Sequence, residues 1–162
     1  MRKDFEFQQT FGNVDISKIK TDPKSRDEID KMVLGLQYIF TTKEIREEVF
    51  KLLKANISPN SSKKTGRPGM DLWKILVLGV IRQGCSWDYD KLHHMANNNL
   101  MIRELLGHVR FYCDDPYSYN LQTLKDNVML LTPELLDKIS EIVVKAGHNL
   151  LGGKKKKNYI VA

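Results

Sequence analysis

The sequence predicts an all-α protein, a helical bundle of about six helices with a flexible N-terminal arm. Apolar residues recur at helical spacing in successive segments, and most of these segments begin at a capping residue and end near Gly or Asn. No strand pattern occurs before residue 158. The chain has 162 residues, of which 41% are apolar, so it is long enough and apolar enough to bury a core as one domain.

Composition divides the chain into five parts. These are a flexible arm (1–24), a helical hairpin (25–54), a basic linker (55–69), a helical domain (70–152) and a lysine-rich tail (153–162). The arm is polar and aperiodic, and the linker is rich in Pro, Gly, Ser and Asn, which sustain neither helix nor strand. In the hairpin, capping boxes at Ser25 and Thr41 begin amphipathic helices over about 26–38 and 43–54.

The helical domain begins with the most apolar helix of the chain. Asp71 is the expected N-cap of a helix over Leu72–Gln83, which ends at Gly84. This helix is apolar nearly all round, so we expect it to be buried at the centre of the bundle. Ser86 is the expected cap of the next helix, which covers Trp87 to about Ala96.

Three further helices and one strand are predicted after these. The helices cover Leu100–Leu106, after three asparagines and before Gly107; Tyr119–Leu130, after Ser118; and a last segment from Pro133 to Gly147 or Gly152. Residues 158–162 are β-branched and aromatic, which is typical of the opening of a strand, although the chain offers this strand no partner.

The positive charge is concentrated in two short segments. Lys63, Lys64 and Arg67 in the linker and the four lysines of 154–157 supply seven positive charges, whereas the net charge of the chain is +6. The remaining residues are therefore close to neutral. Basic extensions on a neutral body are typical of proteins that bind a polyanion, and a solvated loop without function is the alternative.

Several classes of protein are disfavoured by the sequence. Two cysteines form at most one disulfide bond, which is too few to stabilise a chain of this length as secreted disulfide-rich proteins are stabilised. This favours a reducing, cytoplasmic setting. The longest apolar run, Leu72–Ile81, is half the length of a membrane span, and no secretory signal is present. No nucleophile, phosphate-loop or metal-binding motif occurs, and His93 and His94 point to different sides of their helix. We expect no catalytic residue, metal or cofactor.

DNA binding is better supported than catalysis. The buried helix, its glycine turn and the short helix after it have the layout of a helix-turn-helix. Candidate DNA contacts on the second helix are Trp87, Lys91 and His94, although Asp88 and Asp90 would repel phosphates. A plain helical hairpin has the same layout, and Trp87 is better explained as a core residue than as a stacking platform.

Two other segments supply candidate DNA contacts. Arg67 stands between Gly and Pro in an extended, narrow segment that fits a minor groove, while Lys63 and Lys64 would contact phosphates. The helix from residue 119 offers polar side chains of the types that contact base edges or phosphates. They are Asn120, Gln122 and Lys125. A solvated helix face is the alternative for this last group.

Residues 66–151 carry a recognisable order of motifs. Gly66-Arg-Pro-Gly69 precedes the apolar helix, the next helix begins Ser86-Trp-Asp-Tyr89, Ile102-Arg-Glu-Leu-Leu-Gly107 follows an Asn-rich turn, and Thr123-Leu124 comes later. This order resembles the N-terminal (InsH-like) domain of bacterial insertion-sequence transposases of the DDE type. The resemblance covers about half of the chain and lies in the order of the elements more than in any single motif.

The resemblance implies a helical DNA-binding and dimerisation domain placed before an RNase H-like catalytic domain with three metal-binding carboxylates. This sequence stops at Ala162, where the first catalytic strand would begin, so none of those carboxylates is assigned here. We therefore expect a cytoplasmic homodimer without membrane contact that recognises the double-stranded DNA of element ends for DNA transposition but does not cleave it. The alternatives are an oligomerisation module and a truncated regulator of the transposase.

The basic linker gives the first testable prediction. Replacing Lys63, Lys64 and Arg67 by Ala should weaken DNA binding and flatten the slope of log K against log salt by about 3, because each lost phosphate contact removes about 0.9 from that slope. Binding titrations over a range of salt concentrations measure this change. An unchanged slope would remove the linker from the DNA-binding surface.

Overall fold

The protein is an all-α bundle. The computed structural model describes residues 3–4, 15–22, 24–57, 69–108 and 117–160, with side chains up to residue 147. Within these ranges every regular element is a helix. A short 3-10 helix covers Ile16–Lys18, and seven α-helices follow: α1 Glu28–Thr41, α2 Lys43–Ile57, α3 Leu72–Cys85, α4 Tyr89–Asn98, α5 Leu100–Leu105, α6 Leu121–Val128 and α7 Pro133–Ile160.

Helix α3 is the centre of the bundle, as its apolar sequence predicts. Its side chains from Leu72 to Leu78 are buried, apart from Lys74. Helices α1, α2, α4 and α6 pack around it. The indole Nε1 of Trp73 donates a hydrogen bond to the carbonyl of Leu105 at 2.9 Å, which satisfies the one polar atom of a fully buried side chain.

The predicted hairpin of α1 and α2 shares this core. The two helices pack on each other, α1 also packs on α3, and α2 packs on α7. The N-cap of α1 is Asp27, whose carboxylate accepts from the Ile29 amide, and not Ser25 as the sequence predicted. The Ser25 hydroxyl instead accepts from the Asp27 amide, so the serine stabilises the turn before the cap.

Part of the segment predicted as a flexible arm is packed on the bundle. Ile16 and Ile19 are 1% and 5% exposed, and the side-chain amide of Gln37 on α1 donates to both of their carbonyls at 2.9 Å. Closer to the N-terminus, the carbonyl of Asp4 accepts from the Trp73 amide at the start of α3. For residues 15–20 the prediction of an arm is therefore wrong, because two isoleucines in one short turn gain more from burial than from remaining in water.

The turn between α3 and α4 also differs from the prediction. Helix α3 continues through Gly84 to Cys85, and Ser86 takes the left-handed conformation at φ 54° that ends it. Gly84 serves packing, because a Cβ there would collide with the Met32 side chain on α1. Helix α4 is capped by Asp88, whose carboxylate accepts from the Lys91 amide at 2.7 Å, and begins two residues later than predicted.

The later helices follow the predicted starts more closely than the predicted ends. Asn99 caps α5, Gly107 follows it at φ 86°, and α7 begins at Pro133, all as predicted. Helix α6 is capped by Asn120 and not by Ser118.

Helix α7 continues through both predicted glycine ends to Ile160, so the strand expected from residue 158 is wrong for 158–160. A helix satisfies its backbone hydrogen bonds internally, whereas a lone strand does not.

No helix in the described part of the chain has both the length and the apolarity needed to cross a membrane. This finding applies to α7 as well as to the shorter helices.

Two helical glycines test how tightly α3 is packed. A Cβ on Gly79 would collide with the side chain of Leu131, whereas a Cβ on Gly35 of α1 has nothing within 4 Å. Gly35→Ala should raise the free energy of unfolding by up to about 1 kcal/mol through helix propensity, and Gly79→Ala should lower it by about 1–2 kcal/mol through overpacking. Urea unfolding followed by circular dichroism measures both, and equal changes would contradict the close contact.

Candidate nucleic-acid interface

The candidate residues of α4 lie on one side of the helix. Lys91, His94 and Asn98 are exposed and follow one another at three- and four-residue spacing, while Leu92 and Ala96 are buried on the opposite side. Trp87 lies just before the helix and is half-buried, and the Lys91 ammonium is 5.9 Å from the centre of its ring. The structure thus places Trp87, Lys91 and His94 along one surface.

The candidates on α6 have different roles. The Asn120 side chain is the helix cap, because its oxygen accepts from the amides of Gln122 and Thr123 at 2.9 and 3.2 Å. The exposed Gln122 amide donates to Asp126 within the helix, and Lys125 is exposed. Asn120 therefore positions the helix, whereas Gln122 and Lys125 present their side chains to solvent.

A pair of hydrogen-bonding side chains holds α4 against the start of α6. The Asn97 amide group accepts from the Tyr119 backbone N–H at 2.7 Å and donates to its carbonyl at 3.1 Å. One turn earlier, Nε2 of His93 lies 2.7 Å from the same carbonyl and donates to it. His93 thus faces α6 while His94 faces solvent, on different sides of the helix as the sequence predicted. The backbone N–H and the carbonyl of Tyr119 both have hydrogen-bond partners on α4.

At the start of α4, Tyr89 contacts cations of two neighbouring helices. The Arg82 guanidinium at the end of α3 lies 4.0 Å from the centre of the Tyr89 ring, and the Lys125 ammonium of α6 lies 5.7 Å from it. Both distances fall in the range of cation–π contacts. Arg82 and Tyr89 are not among the predicted DNA contacts, and the one local signal that they meet is an Arg seven residues before a Tyr across a turn.

The cations of this surface are not neutralised by direct ion pairs within the described part of the chain. Arg82, Lys91 and Lys125 make no ion pair with an acidic residue there, whereas Lys54 pairs with Asp4 at 2.9 Å elsewhere. The nearby carboxylates are Asp88, which caps α4, Asp126, which accepts from Gln122, and the exposed Asp90. The three cations are therefore free of direct ion pairs in the described part of the chain, although these three carboxylates balance their charge.

The other predicted contacts lie elsewhere. Lys63, Lys64 and Arg67 are outside the described residues, so their position relative to this surface stays a prediction. Among the residues that are described, no three His, Cys, Asp or Glu side chains are grouped as metal ligands. Burial raises the pKa of the Cys85 thiol, with Asp27 and Glu28 adding to the shift, so its reactive thiolate form is disfavoured.

Comparisons of the chain with protein-family models, with curated proteins and with solved structures gave no match. The class that the structure itself defines is an all-α protein whose candidate interface is formed by α4, α6 and the end of α3.

The bonds of Asn97 give a prediction about how this surface is held together. Asn97→Ala should lower the free energy of unfolding by about 1–3 kcal/mol, because it leaves the Tyr119 amide and carbonyl without these partners. The matched control is Asn98→Ala on the exposed side, where the lost bond is to the same helix and the expected change is within about 0.5 kcal/mol. Urea unfolding measures both variants, and equal losses would show that Asn97 does not join the two helices.

Proposed function

We propose that the protein binds double-stranded DNA through the exposed side of α4 and the adjoining part of α6. The observation that carries this proposal is the presence of Lys91 and Lys125 on two contacting helices without acidic partners among the described residues. Lysines held at a surface without counter-charges bind phosphates and release condensed counterions, which is the main source of affinity for DNA.

The other exposed side chains of α4 suit a nucleic-acid partner. His94 and Asn98 follow Lys91 along the same side, and both carry groups that hydrogen-bond to phosphates or base edges. With its ten residues, α4 is about 15 Å long and has the dimensions of a helix that enters a major groove. Asp88 and Asp90, both exposed at the start of this helix, are the charges that oppose phosphate binding there.

We propose further that the chain is the DNA-binding N-terminal domain of a DDE-type insertion-sequence transposase and that it recognises the ends of the element. This step rests on the order of motifs over residues 66–151 and not on any matched relative. Cleavage and strand transfer would be the task of a catalytic domain, and no residue of this chain is given a catalytic role in the proposal.

An oligomerisation module is the second candidate, and it has less support. The elements expected to pair subunits are the 25–54 hairpin, which forms α1 and α2, and the helix over 133–150, within α7. Of these helices, α2 and α7 pack on each other within the chain. Ile45 and Val49 on α2 and Leu135 and Ile139 on α7 are buried in the common core. Among the described side chains of α1, α2 and α7, the exposed large apolar ones are Leu34, 47% accessible, and Val144, 55% accessible. A homodimer stays part of the proposal only as the arrangement expected of the family.

A pair of double variants tests DNA binding by this surface. In Lys91→Gln/Lys125→Gln, affinity for a mixed-sequence duplex should fall, and the slope of log K against log salt should flatten by about 2, since two phosphate contacts are lost. The control is Lys31→Gln/Lys138→Gln, which removes the same charge from exposed positions of α1 and α7. Fluorescence anisotropy at several salt concentrations measures both variants, with light scattering to report the oligomeric state.

The comparison of the two variants decides the outcome. An identical loss in both would mean that net charge alone, and not this surface, governs binding. Absence of binding by the unaltered protein at low salt, together with a dimer in light scattering, would favour the oligomerisation module.

A further inference from the structure

Arg82 is held in an unusual environment at the end of α3. Its guanidinium lies over the Tyr89 ring, its Nε is buried, and this nitrogen has no hydrogen-bond acceptor within the described residues. A buried donor without an acceptor destabilises the folded protein by about 1–3 kcal/mol. Contact with the ring therefore restricts the side chain, and its Nε–H has no acceptor among the described residues.

Lys125 brings a second positive charge to the same ring from a different helix. Its ammonium lies 5.7 Å from the ring centre and the Arg82 guanidinium lies 4.0 Å from it, so the two cations can be no further apart than the sum of these distances. Like charges this close repel each other, and partial burial of Arg82 strengthens the repulsion. Neither cation has an acidic partner in the described part of the chain, so an anion from outside would relieve the repulsion.

We propose that Arg82 and Lys125, held on the Tyr89 ring, form a binding site for one phosphate group. A guanidinium presents two parallel N–H donors that match two phosphate oxygens, and an ammonium adds a point charge that a phosphate binds from another direction. Contact with the ring restricts the guanidinium before the ligand arrives, which reduces the entropy lost on binding. The phosphate belongs to a DNA backbone, and this assignment rests on the proposed function. A free oligophosphate presents the same chemical group.

The neighbouring carboxylates set the strength of this site. Asp88 precedes Tyr89, but its carboxylate accepts from the Lys91 amide at the positive end of α4, which offsets its charge. Asp90 follows Tyr89 and is exposed. Asp90 therefore weakens anion binding, and Asp90→Asn should raise the affinity for a phosphate ligand about threefold.

The Nε–H signal of Arg82 in nitrogen–proton correlation spectra reports on this site directly. The full chain is titrated separately with tripolyphosphate and with a mixed-sequence DNA duplex, and Arg82→Lys identifies the signal by its disappearance. The Arg82 signal should shift with both ligands and reach a plateau. In Lys125→Gln the affinity for tripolyphosphate should fall about tenfold, as for loss of one charge-assisted contact. Lys138→Gln, which removes a distant exposed charge, should leave it unchanged.

The two ligands separate the site from the proposed function. A shift of the Arg82 signal with the duplex, whether or not tripolyphosphate also shifts it, supports the site as a contact to the DNA backbone. A shift with tripolyphosphate but no binding of the duplex supports the phosphate site and rejects the DNA-binding function. Binding of the duplex without movement of the Arg82 signal overturns the site and leaves the function standing, and no response to either ligand overturns both. Unchanged backbone spectra of Lys125→Gln show that this exposed substitution has not altered the fold.

Discussion

Burial of α3 over most of its circumference is the constraint from which the rest of the bundle follows. A helix with apolar side chains around most of its circumference cannot lie at a surface, so it requires neighbours on every side. Helices α1, α2, α4 and α6 supply them, and each fully buried Leu, Ile or Val on α3 contributes about 1.5–3 kcal/mol of transfer free energy. The close approach of Gly79 to Leu131 shows how little space this arrangement leaves.

The candidate interface depends on this core through a small number of contacts. Arg82 lies in the last turn of α3 and Ser86 is its C-cap. The left-handed conformation of Ser86 sets the direction in which α4 leaves the core. Asn97 and His93 then fix α4 to the Tyr119 backbone, one residue before the cap of α6. The cations of α3 and α6 therefore meet at Tyr89 because the core and the bonds of Asn97 and His93 hold these helices in place, and not because an ion pair draws them together.

The sequence predicted the elements better than the contacts between them. Periodicity and capping chemistry identified all seven α-helices, the central position of α3, and starts such as Asn99 and Pro133, because these depend on residues close together in the chain. The buried turn at Ile16 and the left-handed Ser86 were missed, because burial and turn geometry there depend on distant partners on α1. Of the candidate contacts, Lys91, His94, Gln122 and Lys125 do face solvent, whereas Asn120 is a cap. The meeting of Arg82 with Lys125 could not be predicted, since it depends on the packing of helices more than forty residues apart in sequence.

The central claim is that one surface, formed by α4 and α6, faces DNA. Mapping of backbone amide signals during titration of the full chain with a short mixed-sequence duplex at low salt tests it most directly, because all described helices are observed at once. The account predicts that the largest changes lie at Lys91, His94, Asn98 and Lys125 and around Tyr89. Changes concentrated instead on α1, α2 or α7, with α4 and α6 unaffected, would contradict it.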